Sequence, residues 1–120
     1  MSHSTSPDRS IVIAEGIDAL RRLYDMAAHH DNGGARRVAH FLLGLYNGMR
    51  FPFDLTDLRM LDNAVFADCM LVLRMDARVC EREIHNYIED GGDRFEAMAK
   101  YHGIEDIMKL RRTSSGSSRE

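Results

Sequence analysis

Residues 35–47 read ARRVAHFLLGLYN, and this stretch decides the class of fold. Apolar side chains fill nearly every position from Val38 to Tyr46, so little polar surface is left on any side. A helix that is apolar on most sides is a central helix, covered by several neighbours. The stretch therefore predicts a buried helix over about 35–47, with other helices packed around it.

The segment before this central helix predicts a long amphipathic helix over about 10–30. Its apolar residues recur in steps of three and four and form one face. These are Ile13, Ile17, Leu20, Leu23, Tyr24 and Ala27. The four residues DNGG at 31–34 predict the end of this helix, because Asn and Gly accept the left-handed backbone that terminates helices.

The segment after the central helix predicts a connector over 48–53, since Pro52 disfavours helical backbone at Phe51. We expect Phe51 and Phe53 to fold back onto the core. Asp54, with Asp57 three residues later, resembles a reciprocal helix cap and predicts a short helix over about 55–61.

Asp62 is placed to cap a further helix over about 63–79. The apolar stripe of that helix consists of Val65, Phe66, Cys69, Val72, Leu73 and Cys80. Residues 81–91 fit either a short helix or an irregular loop. A helix over 93–102 follows, with Phe95, Met98, Ala99 and His102 on one side, and Gly103 ends it. A last helix is expected over about 104–111.

No segment reads as a strand with a partner, so the predicted class is all-α. We expect a compact single-domain bundle of five to six helices. The helical domain covers 10–112. The polar N-terminus, 1–9, and the Ser-rich tail, 113–120, are predicted to be disordered.

Composition narrows the classes of function. The chain has 120 residues, with 16 Lys and Arg against 19 Asp and Glu, and a net charge of -3. This balance is too mild for a nucleic-acid-coating protein and for an acidic DNA mimic. Neither a membrane-spanning stretch nor a signal peptide is recognisable, which predicts a cytoplasmic protein without membrane contact. Cys69 and Cys80 are expected to be buried, inert and unpaired.

The clearest polar constellation begins with two arginines in the first turn of the central helix, where they oppose the helix macrodipole. Nearby carboxylates could offset them through bidentate pairs. The candidate cluster is Arg36, Arg37, Asn47, Asp54, Asp57 and Asp62. Two interpretations stay open: a structural network that fixes the turn after the central helix, or a site for an anion or an acidic partner.

Motifs for catalysis or cofactor binding are missing from the sequence. Phosphate-binding loops, nucleophile elbows and HExxH are absent, and the histidine and cysteine spacings match no zinc site. His40 and His102 fit histidines whose hydrogen bonds are satisfied in the core. The helix over 63–79 has too few basic residues for DNA recognition. We therefore expect no enzymatic activity, no metal or cofactor, and no nucleic-acid partner.

Three segments resemble one family of small proteins. They are GARRVAHFLL at 34–43, Tyr46-Asn47, and FDLTDL at 53–58. The family is the domain of unknown function DUF7673, and the likeness covers roughly 17–100. Residues 80–92 and the helix after Gly103 depart from the family pattern. Members look like short proteobacterial proteins carried on mobile elements, and the family supplies no catalytic residue to carry over.

The resemblance implies a small accessory protein of a bacterial mobile element that acts by protein–protein interaction. A sharper version is an inhibitor of a host defence system, of the anti-CRISPR type, which would act by shape. A homodimer that uses exposed Met residues or Phe51 and Phe53 is a second hypothesis. An enzyme, which would require a cleft lined by the arginine–aspartate cluster, is a third, and a small DNA-associated regulator is a further alternative.

Overall fold

The computed structural model describes residues 8–117, with side chains described as far as residue 112. Five α-helices run through this part of the chain, and no β-strand occurs in it. The helices are α1 (Arg9–His29), α2 (Gly33–Tyr46), α3 (Asn63–Arg74), α4 (Gly91–His102) and α5 (Ile107–Ser117). The all-α fold class is confirmed. Of the ends predicted to be disordered, 1–7 and 118–120 lie outside the described residues.

Helix α1 begins one residue before the predicted start, because the Asp8 side chain accepts hydrogen bonds from the backbone N–H and hydroxyl of Ser10, at 2.8 and 2.7 Å. Its buried face is rotated from the predicted one, so that Ile13 and Ile17 are only half-buried. Gly16 lies on this buried face, where a Cβ atom would come within 2.6 Å of the Cβ and the sulfur of Met75. The fully buried face consists of Val12, Gly16, Ala19, Leu20, Leu23 and Ala27.

Helix α2 is the central helix that its apolar sequence predicts. Its buried residues are Ala35, Val38, Ala39, Phe41, Leu42 and Leu43. One detail before it differs from the expectation. Asn32 does not end α1 in left-handed backbone but caps α2, with its side-chain oxygen 2.8 Å from the Ala35 nitrogen. A side-chain acceptor at this position satisfies a backbone N–H that would otherwise lack a partner. Gly33 therefore starts α2.

The connector after α2 folds back as predicted, with Phe51 buried and Phe53 packed against the core. Asp54 caps a 3₁₀ helix, Leu55–Met60, by accepting from the backbone N–H and hydroxyl of Thr56. Asp62 then caps α3 by accepting from the Val65 nitrogen at 2.9 Å. Both aspartates cap the helices that follow them as predicted. Among the described side chains, the Asp57 carboxylate accepts no hydrogen bond from the Asp54 backbone, so the reciprocal half of that cap is not formed.

Helix α3 continues into a π-helical turn, Met75–Val79. Cys69, Val72 and Met75 are buried as an inner stripe, but Phe66 and Leu73 are exposed, contrary to the predicted stripe. Cys80 is also exposed, with φ 50°. The wider turn holds more residues per turn than an α-helix. This shifts Cys80 off the inner face and corrects its predicted burial.

The ambiguous segment contains a 3₁₀ helix, Ile84–Tyr87. Helix α4 buries Phe95, Met98 and Ala99 as predicted, and Gly103 ends it in left-handed backbone at φ 65°. The last helix starts three residues later than expected, since the Asp106 side chain accepts from the backbone nitrogens of Met108 and Lys109. That cap fixes the start of α5, and its backbone remains helical to Ser117, past the predicted 111.

Candidate functional site

The structure does not bring the predicted arginine–aspartate cluster together. Arg36 donates through Nε to the His102 carbonyl at 3.2 Å, which ties the start of α2 to the end of α4. Among the residues with described side chains, no ion pair joins Arg36 or Arg37 to Asp54, Asp57 or Asp62. The expected bidentate pairs are therefore not formed.

Three other members of the predicted cluster form hydrogen bonds with residues close to them in the sequence. The Asn47 side-chain oxygen accepts from the Arg50 nitrogen at 3.2 Å, and Asp54 and Asp62 cap the helices that follow them. Hydrogen bonds to Thr56 hold the pKa of the Asp54 carboxyl below its usual value. Asp57 lies half-buried on the 3₁₀ helix between them. These polar residues shape the chain after α2 and do not form a common site.

The strongest ionic network is centred on Arg50, which the sequence does not single out. Its guanidinium donates to both carboxylate oxygens of Glu96 at 2.6 and 2.8 Å, and to Asp106 at 2.8 Å. Tyr46 donates its hydroxyl to Glu96 at 2.5 Å. The network, named here the Arg50 brace, joins the end of α2 to α4 and to the start of α5.

Protonation in the Arg50 brace follows its hydrogen bonds. The Arg50 guanidinium holds the pKa of Glu96 below its usual value. Partial removal from water would raise the pKa of Asp106, but hydrogen bonds from Arg50 and the backbone of α5 outweigh it and lower that pKa. Burial and the Glu96 contact raise the pKa of Tyr46. Arg50, Glu96 and Asp106 are therefore ionised and paired with one another at neutral pH, while the Tyr46 hydroxyl stays neutral and donates to Glu96.

Two histidines and one cysteine that were candidates for metal or nucleophilic chemistry have structural environments. His40 and His102 each place Nε2 against a backbone carbonyl, that of Pro52 at 2.8 Å and that of Ala27 at 2.6 Å, as satisfied histidines would. Burial raises the pKa of the Cys69 thiol to about 12, so this thiol is not a nucleophile at neutral pH. Within the described residues no three His, Cys, Asp or Glu side chains gather as a metal site needs.

An apolar groove with a volume of about 390 Å³ opens between α2, the chain at 52–58 and α3. Gly44 and Gly48 line it on the α2 side. A Cβ atom on Gly44 would lie 3.1 Å from the Cβ of Phe53, so glycine permits the close approach of the connector. The remaining walls are apolar side chains, namely Phe41, Leu45, Pro52, Phe53, Leu55, Leu58 and Leu73. The groove can therefore hold an apolar occupant but offers almost no polar group to orient a reaction.

Large apolar side chains continue from this groove onto the surface. Leu55 is 73% exposed and Leu73 37%, and both line the groove. Met49, directly after Gly48, is 72% exposed. Phe66 lies two helical turns before Leu73 on α3 and is 40% exposed. We call the groove together with Met49, Leu55, Phe66 and Leu73 the apolar surface. Neighbouring exposed side chains of this size are typical of interaction sites.

The sequence predicts neither the Arg50 brace nor the apolar surface, and each case has a physical reason. The connector at 48–53 was recognised, but nothing near Arg50 in the chain points to Glu96, 46 residues away. Phe66 and Leu73 were recognised as apolar and expected to be covered. The α3 pattern shows Phe66, Met70 and Leu73 at spacings of four and three, beside the inner stripe of Cys69 and Val72. This second stripe is the signal from which the exposed face could have been found.

The fold and its surfaces define a small all-α protein with a braced core and an open apolar groove. No helix among the described residues combines the length and apolar character that a bilayer crossing needs. The model of a family of unknown function, DUF7673, matches residues 17–103, and the chain belongs to that family. The match includes the whole apolar surface, and it ends before α5. No curated protein and no solved structure matches the chain.

Proposed function

We propose that this chain is a small non-enzymatic accessory protein of a bacterial mobile element that acts by protein–protein interaction. The apolar surface is the docking site. The observation that carries the proposal is the apolar groove of about 390 Å³, edged by the exposed side chains of Leu55 and Leu73. The mobile-element setting is supported by the resemblance to short proteins carried on such elements.

The physical argument concerns the cost of leaving this surface in water. Burying a leucine side chain is worth about 1.5–3 kcal/mol relative to leaving it exposed. Leu55 is 73% exposed, so the isolated chain gains little of this burial free energy. A partner that covers Leu55, Leu73 and the groove between them would recover it. The free energy of the proposed interaction therefore comes from burying side chains that the fold leaves exposed.

The lining also indicates the chemistry of the partner segment. Walls of Phe, Leu and Pro with a glycine-lined side accept apolar side chains, as grooves that bind amphipathic helices do. Charged side chains of both signs, including Asp57 and Arg59, lie on the 3₁₀ helix beside the groove. The partner is therefore an amphipathic segment with an apolar face and a mixed-charge rim, and not a strongly charged polymer.

A photocrosslinking experiment tests the proposal. A photoreactive amino acid replaces Leu55 in one variant and Ile11 in another, because Ile11 is also exposed, at 54%, but lies on α1. The crosslinked partner is identified by mass spectrometry, purified and titrated directly against the wild-type chain, Leu55→Asp and Ile11→Asp. We expect Leu55→Asp to weaken binding about tenfold or more, as loss of an interface anchor does, and Ile11→Asp to leave it unchanged.

Folding is checked by circular dichroism, and both substitutions fall on exposed side chains, where stability changes are within about 0.5 kcal/mol. Equal weakening by both variants, or a partner that crosslinks at residue 11 and not at 55, would show that the apolar surface is not the docking site. Sedimentation at high concentration identifies the case in which the partner is a second copy of the chain.

A further inference from the structure

A second cleft lies between α1 and α4 and shares no lining residue with the apolar groove. It consists of two adjoining cavities of about 290 and 360 Å³. Tyr24 and His29 of α1 and Arg94 of α4 line both of them. The two cavities therefore adjoin at these three side chains, and together they are named here the α1–α4 cleft.

One half of the α1–α4 cleft is polar. Besides Arg94, it is lined by Arg21, Asp25 and Glu89, so two arginines and two carboxylates line one cavity. None of these four side chains forms an ion pair or a side-chain hydrogen bond with another residue of the described part of the chain. The same protein pairs Arg22 with Asp68 and Arg50 with Glu96 in bidentate geometry. All four residues are exposed, so these charged groups are accessible to an external partner.

The other half of the α1–α4 cleft is apolar and has space. Ala28 of α1 and Ala97 of α4 line it with short side chains, and Met98 and Tyr101 complete the wall. Tyr101 is 52% exposed in the isolated chain. Aromatic rings whose faces are uncovered offer favourable packing to another ring or to an aliphatic chain. This half therefore suits an apolar side chain of moderate size.

We propose that the α1–α4 cleft binds a free α-amino acid with an aromatic or large aliphatic side chain. The carboxylate of the ligand lies against Arg94 and Arg21, and its ammonium group faces Asp25 and Glu89. Its side chain occupies the space between Ala28 and Ala97. A zwitterion fits because the polar half has equal numbers of arginines and carboxylates. A ligand with one sign of charge would compensate only two of the four charged side chains. A zwitterion makes bidentate contacts with the arginines through its carboxylate and contacts with the carboxylates through its ammonium group.

This site goes beyond the proposed docking function and does not depend on it. The two adjoining cavities, of about 290 and 360 Å³, are in the size range of small-molecule sites, and each has room for one half of a ligand of amino-acid size. Occupation would add contacts among α1, the segment at 87–89 and α4, all of which line this cleft. The ligand would thus stabilise the arrangement of these three elements.

Backbone amide NMR of the full chain tests the site with three matched compounds: L-phenylalanine, L-phenylalaninamide and 3-phenylpropionate. The amide lacks the carboxylate and the propionate lacks the ammonium group. We expect saturable shifts of the Ala28 and Ala97 signals with phenylalanine, and about tenfold weaker binding of each truncated compound, since each loses charged hydrogen bonds. Arg94→Gln and Arg21→Gln should weaken phenylalanine binding to a similar extent, while Arg74→Gln, an exposed arginine on α3, should not.

Three results would overturn the proposal: no saturable shift with phenylalanine, equal affinity for all three compounds, or equal effects of Arg94→Gln and Arg74→Gln. If Arg94→Gln fails to fold, the ligand series with the wild-type chain and the exposed Arg21→Gln variant still decides the question. Because Leu55 lies outside this cleft, Leu55→Asp should leave phenylalanine binding unchanged, which separates the test from that of the docking surface.

Discussion

Arg50 holds both carboxylate oxygens of Glu96, at 2.6 and 2.8 Å, across 46 residues of chain. Its Nε donates to Asp106 at 2.8 Å, and its guanidinium lies 4.7 Å from the centre of the Phe51 ring. The Arg50 side chain is 27% exposed, so the contacts are partly shielded from water. Such bidentate, partly shielded pairs contribute more to stability than ordinary surface ion pairs.

Removing the centre of the Arg50 brace should destabilise the fold. Arg50→Ala leaves Glu96 and Asp106 without their cation, and we expect it to lower the free energy of unfolding by about 1–2 kcal/mol. Arg37→Ala is the matched control, since Arg37 forms no ion pair with any residue whose side chain is described, and it should cost less than about 0.5 kcal/mol. Urea unfolding monitored by circular dichroism compares them. If both variants lose the same free energy of unfolding, the ion pairs of Arg50 add nothing to stability beyond what an unpaired arginine does.

The same brace should make stability depend on pH in the acid range. The pKa of Glu96 is lowered by folding from its ordinary value of 4.5, and that of Asp106 from 3.8. A carboxyl with a lowered folded-state pKa contributes its full stability above the unfolded value and loses it as the pH falls through the folded value. Wild-type stability should therefore fall below about pH 4.5. Glu96→Gln should show a shallower fall over the same range, and identical slopes in urea titrations would refute this.

The contrast between Arg50 and Asn32 shows what the sequence could and could not establish. Helix existence and capping depend on nearby residues, so the five α-helices and the caps at Asp54 and Asp62 follow from local patterns. Asn32 indicates a helix boundary, but local chemistry does not say which of the two adjoining helices it caps. The partner of Arg50 depends on where α4 crosses the end of α2, and no local pattern contains that information.

The apolar surface illustrates the second limit. Helical periodicity identifies Phe66 and Leu73 as apolar, and it predicts that they share a face of α3. Whether another element covers that face depends on the path of the connector at 48–53 and on the π-helical turn. The elements that cover α3 leave its outer stripe free, so sequence reasoning placed the right residues in the wrong environment.

Asp76 provides a prediction of opposite sign to that for Glu96. It lies half-buried on the π-helical turn, and burial, together with the nearby Glu83, raises its pKa above the ordinary 3.8. A raised carboxyl pKa means that the ionised side chain destabilises the fold at neutral pH, and that this penalty disappears as the pH falls. Asp76→Asn should therefore stabilise the chain at pH 7 by about 0.5 kcal/mol, after allowance for solvent screening. The gain in the free energy of unfolding should shrink towards pH 3. A gain that does not change with pH would contradict a destabilising charge at Asp76.

Gly16 and Met75 provide the sharpest test of core packing. A Cβ atom on Gly16 would lie 2.6 Å from both the Cβ and the sulfur of Met75, so the two helices could not keep their separation. Alanine gains about 1 kcal/mol in helix propensity over glycine, whereas overpacking costs about 1–3 kcal/mol. We expect Gly16→Ala to destabilise the fold by about 1 kcal/mol net.

The matched control for Gly16→Ala is Gly33→Ala at the start of α2. A Cβ atom there would approach only the flexible end of Arg37, at 3.3 Å, so the variant should be neutral or stabilising by about 0.5 kcal/mol. Truncation of the opposing side chain provides the second control. In a Met75→Ala background the clash with the sulfur is gone and only that with the Cβ at position 75 remains, so Gly16→Ala should cost less than it does in the wild-type chain. If the cost is the same in both backgrounds, the Met75 sulfur does not contribute to the cost of filling this contact.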